Sequence, residues 1–478
     1  MTFEWIGFAT LVIGLIGLVQ GGRLGITACI AATLLGAATA TVLTAIGSAN
    51  LPPAHVFLAF LLLAALRNPL SQRMLEAYAW PRPGFWILMT GLYAVLSAAF
   101  MPRVFAGASY VFTIARTDYG PGLLLTPLKP VSGNLSQTAY FVADVLCFGI
   151  FYALGQDRKR QAWIVDAVLL AGCLNILFAV LDYVTFFTGT AEFLGFMRNA
   201  TYRMLDTAEV VGFKRLVGSF PEASSFATTT LALFAFTFSL WLDSYRARIV
   251  GCLALLLFLA LVLSTSTTAY VGLVAYLALI YGASVLRLLG GRASIRQLAF
   301  LAASPVLAAL MVGLVHLNDA LTASIGDILQ QLIFTKGTTA SALERASWNS
   351  QALINFFDSY GLGVGTGSAR ASNIVVATLA NVGLFGSFTY GMFLFLCLVA
   401  HRKEPDPEQR IVRRAAAAAC GSLFISGCIA GTTIDMGLLF FIFAALAATS
   451  AGAGVLARSP IPAGPAYRGV PQFVGPAT

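Results

Sequence analysis

Charged residues are scarce in this chain of 478 residues, since Asp, Glu, Lys and Arg together make up only 10% of it. Soluble globular domains carry roughly 25% charged residues, so the composition argues against a soluble fold. Hydrophobic residues reach 58%, and the mean hydropathy is +0.84. The net charge of +9 comes from cations scattered singly between apolar runs, and without a basic stripe we expect no nucleic-acid partner. The composition predicts a polytopic integral membrane protein of the all-α class.

The chain also has few residues of the kinds that bind metals or form disulfides. Its seven cysteines fall inside apolar runs without a CxxC spacing, which argues against disulfides and zinc. Its three histidines are scattered, so we expect chemistry that needs neither a metal nor a cofactor. The N-terminus lacks the basic segment of a signal peptide, so the first apolar run is predicted to be retained as a span.

Thirteen apolar runs approach the roughly 17 to 25 residues that a helix needs to cross the hydrocarbon of a bilayer. The third run is short, and the first two could form an imperfect hairpin, so twelve spans are the alternative. The runs lie near 3–20, 24–46, 52–66, 84–101, 137–155, 163–187, 222–242, 249–264, 268–287, 297–317, 373–400, 415–432 and 436–455.

Cations in short connections predict the orientation, because such residues tend to stay on the cytoplasmic side. We expect one transmembrane domain over residues 1–457 and a disordered cytoplasmic tail over 458–478, which is rich in Pro and Gly. Three long loops then face the periplasm, near 102–136, 188–221 and 318–372. Long loops on a rigid scaffold commonly supply binding and catalytic groups. The cations that set this orientation include Arg67, Arg73, Arg82, Arg158, Lys159, Arg160, Arg246, Arg248, Arg287, Arg292, Arg296, Arg410, Arg413 and Arg414.

Ten cations lie on the opposite side, against the usual bias. Any single one could be solvated or rest among lipid headgroups, because long loops cross the membrane largely regardless of charge. As a set, they favour a receptor for a diphosphate, which guanidinium groups bind through paired hydrogen bonds. They are Arg103, Arg116, Lys129, Arg198, Arg203, Lys214, Arg215, Lys336, Arg345 and Arg370.

The stretch from Lys214 to Phe226 places two cations and a carboxylate at the start of a predicted span. One interpretation of Glu222, which follows Pro221, is a helix N-terminal anion that complements the dipole. The other is a carboxylate partly removed from water that accepts a proton from an attacking hydroxyl. Ser224 and Ser225 could orient it or bind a sugar.

The third long loop contains two further features. Glu344-Arg345-Ala-Ser-Trp348 begins an apolar-periodic stretch that predicts a short helix on the membrane surface. Gly361-Leu-Gly-Val-Gly-Thr-Gly367 follows it, and without a preceding strand or a Walker lysine this run favours a tight turn over a nucleotide loop.

Two polar features inside the apolar runs remain. The hydroxyl-rich tip from Ser264 to Thr268 favours a turn that satisfies its own backbone over a sugar site. Asp144, Asp166 and Asp182 fall inside predicted spans. They could pair with buried cations or form a proton path. Because those spans contain few cations, we expect helix-end snorkelling or hydrogen bonding.

Several motifs, taken in order, resemble the O-antigen polymerase and O-antigen ligase superfamily. They are Lys214-Arg215-Leu-Val-Gly-Ser-Phe-Pro-Glu222-Ala-Ser, the hydroxyl-rich tip, Glu344-Arg345-x-x-Trp348, the glycine run, and Leu379-Ala-Asn-Val-Gly383-Leu-Phe-Gly386. The likeness covers about a third of the chain, from Phe213 to Gly386, and each motif alone is degenerate. It implies a GT-C-type membrane glycosyltransferase that uses glycans on undecaprenyl diphosphate at the periplasmic face of the bacterial inner membrane.

The resemblance also implies roles for particular residues. Arg215 and Arg345 match loop arginines that hold the diphosphate, and Glu222 matches the carboxylate of a Glu-x-Ser pattern common among the polymerases. The segment from Ala371 to Ile374 lacks the histidine that ligases tend to have after the glycine-rich turn. The hydroxyl-rich tip likewise lacks the arginine that ligases often carry there. Both departures favour a polymerase of O-antigen or exopolysaccharide.

The expected reaction is a metal-independent, inverting transfer of the growing glycan from undecaprenyl diphosphate to an incoming lipid-linked repeat unit. Glu222 is the predicted general base, and Arg215 with Arg345 is expected to stabilise the leaving diphosphate. The predicted further substrate-binding residues are Lys214, Arg116, Arg198, Arg203, Arg370, Ser224 and Ser225. Candidate partners besides membrane lipids are a chain-length regulator and a flippase. The alternatives are a ligase, a transporter of lipid-linked sugars, and a structural member of a glycan-export complex.

Overall fold

The computed structural model describes residues 2–43, 49–67, 69–117, 120–200, 204–205, 209–210, 213–316, 340–399 and 406–449. The predicted tail at 458–478, Arg203, Lys336 and most of the start of the third long loop lie outside these residues. The described part is mostly helical. Its helices are α1 (Trp5–Gln20), α2 (Gly22–Ala32), α3 (Pro53–Ala65), α4 (Leu70–Ala77), α5 (Pro83–Val104), α6 (Ser132–Gly155), α7 (Arg158–Phe187), α8 (Ala223–Leu242), α9 (Ala247–Leu263), α10 (Thr267–Leu289), α11 (Ile295–His316), α12 (Ala340–Asp358), α13 (Ile374–Leu398), α14 (Pro407–Ala430) and α15 (Leu438–Ala448).

Seven of these helices are long and apolar enough to span a membrane, namely α5, α6, α7, α8, α10, α13 and α14. The number becomes eight if the bent pair of α3 and α4 counts as one span. The prediction of a helical membrane protein is therefore confirmed for the described residues. The count of thirteen spans stays a prediction, because α1, α2, α9, α11 and α15 are shorter than a typical span or only partly described.

Three small antiparallel sheets depart from the all-α prediction. They are formed by β1 (Thr2–Phe3) with β2 (Thr41–Leu43) and β3 (Ala49–Leu51), by the hairpin of β4 (Tyr110–Thr117) with β5 (Gly120–Pro127), and by β6 (Glu209–Val210) with β7 (Phe213–Lys214). In all three, strand pairing supplies hydrogen-bond partners for backbone groups that are not helical. The predicted span at 24–46 is wrong as one helix, because α2 ends at Ala32 and the chain then turns into β2.

Local sequence fixes where several helices begin. Asp157 and Asp406 cap α7 and α14 by accepting hydrogen bonds from the first-turn N–H groups of Arg160 and Glu408. Asn373 caps α13 in the same way, with its side-chain oxygen 2.9 Å from the Val375 nitrogen. These caps set the depth at which each helix enters the bundle.

The two ends of the bundle differ in charge pairing. We call the end that carries residues 105–117, 120–131, 188–200, 213–222, 359–373 and 431–437 the loop face. At the opposite end, Asp243 pairs with Arg287 at 2.8 Å and with Arg414 at 3.1 Å. Asp166 pairs there with Arg246 at 2.5 Å. Asp166 thus has a cation partner near a helix end, where surface pairs contribute about 0–1 kcal/mol.

The centre of the bundle is packed with aromatic rings around α15. Every residue of this helix is buried, as expected of a helix that is apolar on all sides. Phe441 stacks against Phe393 at 6.1 Å between ring centroids, and Phe148 meets Phe393 edge-on at 5.2 Å. This core gives the loop face a rigid support.

Candidate functional site

The segment between β7 and α8 packs closely against the end of α2. Ser219 is fully buried, and its hydroxyl donates to the Leu34 carbonyl at 2.7 Å. The Ala37 N–H donates to the Ser219 carbonyl at 3.0 Å. Gly36 lies so close to the Phe220 ring that a Cβ would overlap it. These contacts hold the backbone from residue 215 to residue 222 in place, and with it the two side chains at its ends.

Lys214 turns into the protein from this segment and meets Asp182 of α7. Its Nζ lies 2.9 Å from Oδ1 of Asp182, and both side chains are 1% exposed. Arg198 reaches the same oxygen at 2.6 Å. The other carboxylate oxygen accepts the N–H groups of Val217 at 2.9 Å and Gly218 at 3.2 Å. We call Asp182, Arg198 and Lys214 the Asp182 cluster; its carboxylate receives four donors.

This arrangement gives Asp182 ion-pair partners, so the expectation of helix-end snorkelling or simple hydrogen bonding was wrong. The cations come from the loop segments 198–214 and not from the spans. Arg198 also donates to the Gly218 carbonyl at 3.2 Å through Nε. The predicted roles of Lys214 and Arg198 in binding substrate stay predictions, but both side chains are already engaged inside the protein.

Arg215, the next residue, lies in a different environment. Its Nε is buried without a hydrogen-bond partner. Burial lowers the pKa of its guanidinium, Glu222 and Tyr270 oppose that shift, and Arg345 adds to it. An arginine remains charged under such conditions, so the partial burial of this guanidinium carries a desolvation cost. Glu222, Tyr270 and Arg345 therefore lie within electrostatic range of Arg215.

Glu222 stands at the N-cap position of α8, yet its side chain makes no capping hydrogen bond with the helix backbone. Its Oε1 accepts the hydroxyl of Ser224 instead. The carboxylate is partly exposed, and Ser225 beside it is also partly exposed. The interpretation of Glu222 as a helix N-terminal anion thus lacks its usual hydrogen bond, which leaves the carboxylate free to face the arginines.

Arg345 and Arg370 come from the other side of the site, from α12 and from the turn after the glycine run. The Arg370 guanidinium carbon lies 4.8 Å from the ring centroid of Trp348, a cation–π distance. Neither Nε of Arg370 nor Nε1 of Trp348 has a hydrogen-bond partner, although both are buried. Burial lowers the pKa of Arg370, Glu222 and Glu344 oppose this, and Arg345 adds to it.

We call Arg215, Arg345 and Arg370, together with Glu222, the arginine cluster. None of its three guanidinium groups forms an ion pair within 4.0 Å in the described part of the chain. Three cations face two carboxylates there, those of Glu222 and Glu344. Such a surplus of partly buried positive charge, with N–H donors that lack acceptors, suits an anionic ligand with several oxygens.

The glycine run positions the Arg370 side of the cluster. Gly363, Gly365 and Gly367 have φ values of +83°, +101° and +79°, which favour glycine. The Val364 N–H donates to the Ala380 carbonyl at 2.8 Å, so the turn packs against α13 at its break at Gly383. The predicted tight turn is confirmed, and it brings residue 370 back towards α8.

Helix α12 is held by hydrogen bonds at its middle and its C-terminal end, and these position Arg345 and Trp348. The Asn349 side-chain oxygen accepts the Ser372 N–H at 2.7 Å. Asn355 donates to the Ser109 hydroxyl at 2.8 Å, and Ser109 donates to Asp358 at 2.5 Å. A helix was predicted here and is present, with its apolar residues Leu343, Ile354 and Phe357 exposed, and its position on the membrane surface stays a prediction.

The structure says less about the roles of the remaining predicted site residues. Arg116 belongs to β4, but its side chain is outside the described residues, as is the whole of Arg203. The Ser264 hydroxyl donates to the Leu261 carbonyl at 2.7 Å, which supports the interpretation of that tip as a turn. Sequence reasoning missed Tyr270, whose only signal was its position one turn after this tip. From the sequence, Trp348 could stack on a sugar or belong to an interfacial aromatic belt; in the structure its ring lies against the Arg370 guanidinium.

No family model matches the chain, and a search of curated proteins finds no relative. The superfamily suggested by the sequence motifs is therefore a proposal.

Proposed function

We propose that this chain is a membrane glycosyltransferase of the O-antigen polymerase and ligase superfamily, with a GT-C-type architecture, acting as a polysaccharide polymerase. The donor is a growing glycan on undecaprenyl diphosphate, and the acceptor is a hydroxyl of an incoming lipid-linked repeat unit. The loop face lies in the periplasm of a bacterial inner membrane. The observation that carries the proposal is the arginine cluster, in which the buried Nε of Arg215 and of Arg370 lack acceptors, as does Nε1 of the adjacent Trp348, beside a partly exposed carboxylate.

The arginine cluster would bind the diphosphate. Arg215, Arg345 and Arg370 approach from three separate segments, so their guanidinium groups can surround a multivalent anion. Each charge-assisted hydrogen bond between a guanidinium and a phosphate oxygen is stronger than a neutral one. The ligand would satisfy Nε of Arg215 and of Arg370, and it would offset the cost of burying both cations.

The transfer itself is a single displacement. The acceptor oxygen forms a bond to the anomeric carbon, the bond from that carbon to the diphosphate oxygen breaks, and the diphosphate leaves with the electron pair. Glu222 accepts the acceptor's proton, and Ser224 orients the carboxylate through its hydrogen bond to Oε1. The three arginines stabilise the negative charge that develops on the leaving group. One displacement predicts inversion at the anomeric carbon.

Lys214 and Arg198 take a different role in this proposal from the one their sequence suggested. They pair with Asp182, whose other oxygen accepts the N–H groups of Val217 and Gly218, and so they position the segment that carries Arg215. Both are positioning residues.

The test is glycan chain length in cells that lack the gene and are complemented with wild type, Arg215→Ala, Arg345→Ala or Glu222→Gln. Membrane levels of each protein are measured in parallel. Lys129→Ala is the matched control, because Lys129 is an exposed loop-face cation outside both clusters. We expect single repeat units in the null strain and in the three site variants, and long polymer with Lys129→Ala.

Two outcomes would contradict the proposal. Normal polymer with the arginine variants at normal protein level would show that the site assignment is wrong. A null strain without even one ligated repeat unit would point to a ligase or a transporter in place of a polymerase.

A further inference from the structure

A second polar cluster lies apart from the arginine cluster, inside the bundle. Asp144 of α6 is 1% exposed, and both of its carboxylate oxygens are buried without an N–H or O–H donor. A buried carboxylate without a cation or donors is costly. In the described part of the chain, neither Asp144 nor Asp435 has an ion-pair partner. Something else must neutralise this site.

A second carboxyl, that of Asp435 in the loop 431–437, lies beside Asp144. It lies within hydrogen-bonding reach of Asp144, and it is held there because one of its oxygens accepts the Gly437 N–H at 2.6 Å. Two ionised carboxylates have no donor to share and repel each other. A carboxylic acid beside a carboxylate makes one strong hydrogen bond. The contact therefore requires one proton between the two groups.

Most of the surrounding hydroxyls and thiols are already donating to backbone carbonyls. The Tyr140 hydroxyl of α6 donates to the Asn50 carbonyl, and the Tyr390 hydroxyl of α13 donates to the Ile434 carbonyl at 3.3 Å. Cys147 donates to the Leu438 carbonyl at 3.7 Å. His55 of α3 lies within electrostatic range of Asp435, with its ring centroid 5.3 Å from that of Tyr140 and its buried Nδ1 without a hydrogen-bond partner. Two more buried thiols, Cys29 and Cys420, lie behind Cys147 and Tyr390.

We propose that Asp144 and Asp435 share one proton and so form a proton-binding site between α6 and the loop 431–437. His55 and Tyr140, both partly exposed, line the side of the site towards the loop face. Release of the proton would leave two carboxylates in contact and push the loop away from α6. The loop touches the arginine cluster, because the Thr432 carbonyl accepts the N–H of Ala371, the residue after Arg370, at 3.5 Å. Protonation is thereby linked to the position of Arg370.

Infrared spectroscopy of the purified full-length protein near neutral pH tests the proposal. A protonated carboxyl absorbs apart from carboxylates, so wild type should show a carboxylic acid band. We expect Asp144→Asn and Asp435→Asn each to remove it, because the amide supplies the donor and the remaining carboxyl ionises. Asp166→Asn is the matched control and should keep the band, since Asp166 is paired with Arg246. If Asp144→Asn fails to fold, Asp435→Asn, in a partly exposed loop, gives the same test.

The absence of a carboxylic acid band in wild type, or its survival in Asp435→Asn, would overturn the shared proton. Equilibrium unfolding in mixed micelles provides a second readout. Wherever the folded protein holds a proton that the unfolded chain has released, stability falls as pH rises. As pH rises, the ratio of folded to unfolded protein should fall more steeply in wild type than in Asp144→Asn. We expect the difference to reach up to about tenfold per pH unit. Equal slopes would contradict the proposal. Both readouts are independent of glycosyl transfer, so they can fail while the proposed function stands.

Discussion

Lys214 and Arg215 are adjacent cations that lie in opposite electrostatic environments. Lys214 belongs to the Asp182 cluster, where one carboxylate receives two cations and two backbone N–H groups. Arg215 belongs to the arginine cluster, where three guanidinium groups have no ion pair within 4.0 Å in the described residues. The first cluster is internally satisfied, so its charge stabilises the fold. The second has a surplus of positive charge and unused donors, so its charge is available to a ligand.

Removing Asp182 should have the largest effect on folding. Asp182→Ala leaves Lys214 and Arg198 buried without a counter-charge, which we expect to cost about 3–5 kcal/mol of stability. Membrane protein level and the unfolding midpoint in detergent measure the loss. Asp166→Ala, which breaks partly exposed pairs at the opposite end, is the control and should cost about 1 kcal/mol or less. An Asp182→Ala protein as stable as wild type would show that the Asp182 cluster does not support the fold.

Removing the neighbouring charge at Arg215 should lower activity without lowering stability. Arg215→Met keeps the aliphatic stem but removes a buried cation, so we expect stability to stay unchanged or rise. Loss of one stabilising contact to the leaving diphosphate should lower the polymerisation rate by about 10²–10³-fold. Reconstituted polymerisation and the unfolding midpoint, measured on the same preparation, check both effects. A variant that is destabilised in proportion to its loss of activity would place Arg215 in the same structural role as Lys214.

Diphosphate should stabilise the protein through the arginine cluster alone. A ligand that binds only the folded state at 100 times its dissociation constant adds about 2.7 kcal/mol of stability. We therefore expect inorganic pyrophosphate to raise the unfolding midpoint of wild type and to have little effect on Arg215→Met. Sodium sulfate at matched ionic strength controls for general salt effects. Equal shifts in wild type and Arg215→Met would mean that pyrophosphate binds elsewhere.

The division between the two clusters could not be read from the sequence. Asp182 lies 16 residues before Arg198 and 32 before Lys214, and the two cations come from loops with no periodicity. The directions in which the Lys214 and Arg215 side chains point depend on how Ser219 and Phe220 pack against the end of α2. Leu34, which accepts the Ser219 hydroxyl, lies 185 residues away.

Local properties of the sequence were more informative. Each of the thirteen predicted apolar runs contains a helix, because the length of an apolar run is a local signal. The run at 24–46 shows the limit of that signal. Its second half is drawn into a strand by pairing with residues 2–3 and 49–51, and the composition does not encode this pairing. The tight turn at 361–367 was predictable, because positive φ values favour glycine.

Trp348 allows the smallest and most selective test of the arginine cluster. Its ring supports Arg370 at 4.8 Å, and its buried Nε1 has no acceptor. Trp348→Phe keeps an aromatic face for the guanidinium but removes the N–H, whereas Trp348→Leu removes both. If Nε1 donates to the substrate, Trp348→Phe should lose about 1 kcal/mol, or about fivefold, in kcat/KM. Trp348→Leu should lose more and should also weaken the stabilisation by pyrophosphate, because Arg370 loses its support. Equal activity of wild type and Trp348→Phe would limit Trp348 to holding Arg370, and equal activity of all three proteins would remove Trp348 from the site.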